Sequence, residues 1–219
     1  MTYYYFVPKW FFGFDITLEI LFAMIALTVC LYSFKIYKLS EQREARIFGY
    51  SFLLISLSYI IWALLNFLIL SRTNADITRV TIEGLANLGL IGLYSYIILF
   101  VAGLITLAYT KFKIKSGKVY YIILGLSLLV LAVSVNKIIT FRIVSVFLLT
   151  FILYSYIEEY SRNKNKRTLM VIFAFLFLLL SNLDFIFSLT YYQSYIVGHI
   201  LELVAYILIL SSLISSVKK

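Results

Sequence analysis

The chain is built mostly from long, uninterrupted apolar runs, and this feature restricts its fold more than any other. About 20 consecutive apolar residues are needed for a helix to cross a bilayer core of about 30 Å. The runs are continuously apolar, whereas the strands of a membrane barrel alternate. We therefore predict an all-α membrane protein, a bundle of seven transmembrane helices, or six if the short fourth run does not span. The predicted spans cover residues 14–35, 47–70, 87–110, 119–135, 138–157, 168–190 and 195–217.

Composition supports a lipid environment. Hydrophobic residues make up 63% of the 219 residues and charged residues 13%, against roughly 45–50% and about 25% in soluble domains. A soluble fold of this size has too little interior to bury so much apolar surface. The 19 Lys and Arg residues outnumber the 10 Asp and Glu residues, but they lie in short clusters between the runs, so we predict no nucleic-acid partner. The predicted partner is the lipid bilayer of the cell membrane.

The distribution of basic residues predicts the orientation, because cytoplasmic loops carry an excess of Lys and Arg. One set of alternate joints holds Lys35, Lys38, Arg43, Arg46, Lys111, Lys113, Lys115, Lys118, Arg162, Lys164, Lys166, Arg167, Lys218 and Lys219. The other set holds only Lys9, Arg72, Arg79, Lys137 and Arg142. We predict that the first set is cytoplasmic. Seven spans then place the N-terminus outside and the C-terminus in the cytoplasm.

No joint between the runs is long enough to form a domain. We therefore expect a single transmembrane domain over residues 1–219 with no output domain of its own, so that any signalling would need a separate partner. The sequence LYSF at 31–34 has an echo, LYSY, at 153–156. Both stand at the predicted cytoplasmic end of an outside-to-inside helix, which would fit two parallel three-helix repeats, as in some transporters.

Strongly polar side chains within the runs all fall in the half predicted to be outer. Such groups are expensive in lipid and usually face the bundle interior, a water-filled cavity or a partner. The half predicted to be cytoplasmic offers only Ser, Thr and Tyr. We therefore predict an outward-facing polar pocket for a small polar ligand or a cation. Its candidate ligand-binding residues are Glu19, Asn66, Arg142, Asp184, His199 and Glu202.

The protein's only histidine, His199, lies on one helical face with Glu202 and Tyr206, because their spacing is i, i+3 and i+7. That face must point into the bundle. Two interpretations stay open: a binding pocket, or a structural network in which Arg142 pairs with acids. A metal site would need His199, Glu202 and Asp184 together, because zinc takes three or four ligands. The sequence does not assign a metal or a cofactor to this protein. Histidine commonly changes charge near neutral pH, so pH sensing is a further hypothesis.

Residue counts exclude several classes of seven-helix protein. A retinal Schiff base would require a lysine deep in a run, and there is none. A haem held between helices usually needs two axial histidines, and a seven-helix zinc hydrolase needs several. The chain has one histidine, which is too few for either. No serine stands in a G-x-S-x-G setting. We predict no catalytic residue, and the sequence does not establish an enzyme.

The segment 31–67, LYSFKIYKLSEQREARIFGYSFLLISLSYIIWALLNF, resembles the first helical hairpin of prokaryotic seven-transmembrane sensor modules, found on histidine kinases and in stand-alone archaeal seven-helix membrane proteins. The resemblance covers about a sixth of the chain. It implies a receptor-like module with an outward ligand site. A ligand-binding or sensory module is therefore the favoured hypothesis. The alternatives are a secondary transporter of two parallel three-helix repeats, an intramembrane metal enzyme and a structural membrane subunit.

Overall fold

The computed structural model describes residues 12–73, 79–111, 117–188 and 191–217. This part of the chain forms helices and no strand, which confirms the all-α prediction. Of the basic residues used to predict orientation, Lys9, Lys113, Lys115, Lys218 and Lys219 lie outside the described residues. The helices are α1 (Phe12–Ser40), α2 (Arg43–Thr73), α3 (Arg79–Lys111), α4 (Gly117–Val133), α5 (Lys137–Asn163), α6 (Lys166–Phe187) and α7 (Tyr192–Val217).

Six of these helices are long and apolar enough to cross a membrane, which indicates a membrane protein. The exception is α4, which is apolar but has only 17 residues, at the lower limit of about 17–25 for a spanning helix. The six apolar segments are Gly13–Ser40, Arg43–Leu68, Asn87–Lys111, Lys137–Asn163, Lys166–Phe187 and Gln193–Ser216.

Polar side chains separate α4 from α5. Asn136 has an extended backbone and its side chain accepts a hydrogen bond from the Ile139 amide at 3.2 Å, so it caps the start of α5. The Lys137 ammonium donates to the carbonyls of Ala132 and Ser134 at 2.7 and 2.6 Å, which satisfies backbone acceptors at the end of α4. The predicted joint around Asn136 and Lys137 is therefore a real break.

Six helices form a closed ring in the order α1, α2, α3, α5, α6, α7, and the ring closes where α7 packs on α1. The short helix α4 lies outside this ring against α3 and α5. Helices α2 and α3 approach each other closely at Gly103, where an added Cβ would lie 2.7 Å from Ile55 Cγ1 and 2.9 Å from the Ser51 carbonyl oxygen. Glycine therefore lets α3 pack directly against the backbone of α2.

The two ends of the bundle differ in chemistry. At one end Lys111 pairs with Glu159 at 2.7 Å and lies 3.7 Å from the centre of the Tyr156 ring; we call this the basic end. At the other end, acidic side chains of α1 and α7 are buried; we call this the carboxylate end. Between them the core is aromatic and aliphatic, with Phe22, Phe52 and other large side chains fully buried.

Candidate functional site

A cluster of polar side chains fills the ring interior at the carboxylate end. It joins three helices, α1, α2 and α7, which are neighbours at the closure of the ring. All its members are buried except Asn66, which is half-buried. We call the following residues the polar cluster: Asp15, Glu19, Tyr59, Asn66, Tyr195, His199, Glu202 and Tyr206.

Asp15 connects α1 to α7 through both of its carboxylate oxygens. His199 Nε2 lies 2.9 Å from Asp15 Oδ1, and the Tyr195 hydroxyl donates to Asp15 Oδ2 at 2.7 Å. Aromatic rings enclose the imidazole: Phe22 is stacked on it, and Phe185 and Tyr195 meet it edge to face. The imidazole is therefore fixed between a carboxylate and a shell of rings.

Glu19 connects α1 to α2. The Asn66 side-chain amide donates to both carboxylate oxygens, at 3.0 and 3.1 Å, and the Trp62 side chain lies close to Glu19. Tyr59, Trp62 and Asn66 share one face of α2 by their i, i+3 and i+7 spacing. Tyr59 donates to Glu202 and Asn66 donates to Glu19, so this face is turned toward the cluster acids.

Glu202 connects α7 to α2. It accepts a hydrogen bond from the Tyr59 hydroxyl, which in turn accepts one from Tyr206 at 3.3 Å. His199 Nδ1 lies 3.9 Å from Glu202. A series of polar groups therefore runs from Asp15 through His199, Glu202 and Tyr59 to Tyr206, and its step from His199 to Glu202, at 3.9 Å, is longer than a hydrogen bond. From His199 to Tyr206 the series descends about 10 Å along α7, at about 1.5 Å per residue.

Arg142 stands beside this path. Its guanidinium donates to the side-chain oxygen of Asn182 at 3.3 Å and lies 4.1 Å from the centre of the Phe185 ring. The same Phe185 ring contacts His199. The Arg142 charge also interacts with Glu202, so it offsets part of the negative charge of the polar cluster.

Asp184 is the predicted site residue that the structure does not bring to the others. It is half-exposed on α6, whose buried face carries Asn182 and Phe185 instead. Among the residues that the structure describes, the Asp184 carboxylate makes no hydrogen bond or ion pair with the polar cluster. Glu19, Asn66, His199 and Glu202 belong to the cluster, and Arg142 lies next to it.

The combination of Asp184, His199 and Glu202 considered for a metal does not come together either. Within the described ranges there is no group of three or more His, Cys, Asp or Glu side chains arranged to hold a metal ion. Cys30 is a buried free thiol. Its neighbours in the core are hydrophobic.

Sequence reasoning missed three contributors. Asp15 stands at the predicted membrane boundary, about one turn before Glu19, and is not among the predicted site residues. Tyr195 is one of 19 tyrosines and carries no distinguishing signal of its own, although its i, i+4 spacing from His199 puts both on one helical face. Asn182 has a usable signal, because it is an amide within an otherwise apolar run.

Among the residues that the structure describes, the cluster side chains contact one another, and the two larger cavities lie elsewhere. A groove of about 390 Å³ lies between α1 and α2, and a cavity of about 240 Å³ lies among α3, α4 and α5; both have apolar linings. A void of about 10 Å³ at the ring centre touches Asn182 and Tyr206. The last volume is near the minimum of about 10–15 Å³ that one water molecule needs.

The polar cluster has more acids than bases. It contains Asp15, Glu19 and Glu202 but one imidazole, so full ionisation with a protonated His199 would leave two negative charges in excess. An unpaired buried charge is strongly unfavourable, and Arg142 contributes only partial compensation from the side. The cluster must therefore hold additional protons or a cation. The ability to hold extra protons or a cation is the main chemical property of the polar cluster.

The described geometry defines the chain as a helical membrane protein with a buried carboxylate and imidazole cluster at one end. No family model, curated protein or solved structure matches it.

Proposed function

We propose that the chain is a sensory module of the cell membrane, with seven transmembrane helices, the N-terminus outside and the C-terminus in the cytoplasm. The polar cluster is its input site, and a change in the number of protons held there is the input. The observation that carries this proposal is the set of polar contacts that ties α1, α2 and α7 together through groups able to gain or lose protons.

The free-energy change that accompanies protonation of a buried carboxylate is large enough to change the packing of these helices. Leaving one member of a buried charged pair without its partner costs about 3–5 kcal/mol. Moving a two-state equilibrium from 1:99 to 99:1 takes about 5.5 kcal/mol. Protonation of Glu202 removes the negative charge opposite His199 and Arg142, so one proton gained there supplies a large part of the required free energy.

The charge distribution supports the proposed orientation. The helix ends and joints at the basic end carry most of the Lys and Arg residues, and cytoplasmic loops are enriched in both. The polar cluster then faces the exterior, and the basic end faces a separate signalling partner. Helix α4 is the seventh span in this proposal. Its 17 residues extend about 25 Å, which is slightly less than the bilayer core. Lys118 and Lys137 lie near its two ends and can reach the lipid head groups.

The resemblance of segment 31–67 to sensor modules supports the same function. That segment covers the last part of α1 and most of α2, and it supplies Tyr59, Trp62 and Asn66, the α2 face that contacts Glu19 and Glu202. The part of the chain that looks like a sensor hairpin is therefore the part that contacts the cluster acids from α2.

The proposal can be tested by measuring helix movement at the basic end while the pH changes. Spin labels are attached at Lys38→Cys on α1 and Ser215→Cys on α7, both exposed positions, in a Cys30→Ala background. The protein is reconstituted in lipid nanodiscs, and the distance between the labels is measured between pH 8 and pH 5. We expect the distance distribution to change, because protonation alters the contacts between α1 and α7.

Matched variants assign the response to the polar cluster. Glu202→Gln and Glu19→Gln keep the side-chain shape but fix the group as neutral, so each should remove or reduce the pH response. Asp184→Asn makes the same chemical change at a half-exposed acid outside the cluster and should leave the response intact. A distance distribution independent of pH, or an equal response in Glu202→Gln and the unmodified protein, would refute the proposal.

A further inference from the structure

The groove between α1 and α2 faces outward within the apolar spans. Its rim is well exposed: Met24 is 62% and Leu64 is 57% accessible. In a membrane these side chains meet lipid chains. The volume is about 390 Å³, and the lining includes Ile20, Ala23, Leu27, Ala63, Leu64 and Phe67.

The floor of the groove is formed by the same helix faces that hold cluster residues. Ala23 follows Glu19 by one turn, and Ala63 follows Tyr59 by one turn, so each alanine lies on its helix below or beside a cluster side chain. Both alanines are 4% exposed. At the carboxylate end, the bridge between Glu19 and Asn66 joins the same two helices. Ile20 and Phe67, which line the groove, directly follow Glu19 and Asn66 in the chain, so the bridge lies next to this end of the groove.

Among the residues that the structure describes, Glu19 is the cluster acid whose contacts include no cation. Asn66 donates to it as a neutral group, and the charged side chains that act on it are the acids Asp15 and Glu202. Asp15, by contrast, has His199, and Glu202 experiences both His199 and Arg142. The excess negative charge at the upper end of the groove is therefore best compensated by a cation at Glu19.

We propose that this groove binds a cationic amphiphile, a molecule with one apolar chain and a protonated amine head, which enters sideways from the bilayer. The chain lies along α1 from Ile20 to Leu27, a length of about 10 Å at about 1.5 Å per residue. The amine donates to the Glu19 carboxylate in place of Asn66. This inference rests on the proposed function in that it names a ligand class for the same polar cluster.

Fluorescence quenching can test the site directly, because the chain has only two tryptophans. In a Trp10→Phe background, with position 10 outside the described residues, Trp62 is the single fluorophore and lies at Glu19. The probe is decylamine brominated on its chain, added to the protein in zwitterionic nanodiscs. We expect quenching that saturates with probe concentration. Brominated decanol, which partitions without a charge, should give only quenching that rises in proportion to its concentration.

Variants separate the contributions of chain and head group. Leu64→Phe fills the groove and should abolish saturable quenching, while Leu129→Phe on α4, at a position of nearly equal exposure (59% against 57%), should not. Glu19→Gln should weaken amine binding about tenfold, since it removes a charge-assisted hydrogen bond. Melting temperatures of all variants serve as the folding control.

Two results would overturn the inference: saturable quenching that is equal for amine and alcohol, or amine quenching unaffected by both Leu64→Phe and Glu19→Gln. The quenching assay does not depend on helix movement. If the pH response of the spin labels is absent while amine quenching saturates, the proposed function fails and the groove site stands. The reverse pair of results removes the groove site alone.

Discussion

Replacing Tyr59 with Phe removes one oxygen atom from the centre of the polar cluster. The Tyr59 hydroxyl donates to Glu202 and accepts from Tyr206. The ring itself packs against Phe22 and Phe100 in edge-to-face contacts that a phenylalanine keeps. The substitution therefore tests the hydrogen bonds separately from the packing.

The expected loss of stability follows from these two contacts. A hydrogen bond to a charged group contributes about 1.5–3 kcal/mol and one between neutral groups about 0.5–1.5 kcal/mol. Measured values between transmembrane helices average only about 0.6 kcal/mol, with a maximum of about 1.7. Because Glu202 and Tyr206 are both buried, we expect Tyr59→Phe to lower the free energy of unfolding by about 2 kcal/mol.

The assay is unfolding in mixed micelles with increasing SDS, followed by helical circular dichroism. Tyr154→Phe is the matched control, since Tyr154 is 65% exposed and surface substitutions usually change stability by less than about 0.5 kcal/mol. A double-mutant cycle with Glu202→Gln isolates the pair, and we expect a coupling of about 1 kcal/mol between Tyr59 and Glu202.

Two outcomes would contradict this reasoning. The first is a Tyr59→Phe effect no larger than that of Tyr154→Phe. The second is additivity of Tyr59→Phe and Glu202→Gln within about 0.5 kcal/mol, the range found for residues that do not interact. Either would mean that the contacts of Glu202 do not hold α2 against α7.

Three further predictions concern other parts of the ring. Gly103→Ala should destabilise the protein by about 1–3 kcal/mol, because its Cβ would clash with α2, whereas Gly125→Ala, whose Cβ meets open space, should not; thermal unfolding compares them. Asn136→Ala should cost about 1 kcal/mol through loss of the α5 N-cap, measured in the same way. Cysteines at Ser155 and Ser211 should resist water-soluble thiol reagents under all conditions, and labelling of both would favour the transporter alternative.

The apolar runs predicted where the helices lie because lipid allows few solutions, but most of the helices extend beyond the predicted spans. The first predicted span, 14–35, ends at Lys35, while α1 continues to Ser40. A charge ends the apolar run but does not end a helix, since Lys and Arg are good helix formers. Capping gave better boundaries: Asn136 and Asn165 each precede a helix and accept a hydrogen bond from its first turn.

The sequence predicted how far along its helix each site residue lies, but not whether its side chain points into the bundle. Counting residues along each run placed Asp184 and His199 at similar levels, and only His199 faces inward. The α6 pattern contained the missing information, because Leu178, Asn182 and Phe185 recur at helical spacing and define the buried face. Asp184 falls off that face. The pairing of Asp15 with His199 depends on α7 returning to α1, which is a long-range contact that no local pattern encodes.

That contact also explains why a structural network and a sensory site can be the same set of residues. Lipid provides no hydrophobic force to hold helices together, so packing and polar contacts decide which helices meet. The ring closes between its first and last helices, and this seam carries the Asp15 and His199 pair. In the proposed sensory module, the stability of this seam depends on protons held by the cluster, whereas the α2 and α3 seam around Gly103 has close packing instead. A change of proton occupancy therefore acts first on the closure between α1 and α7.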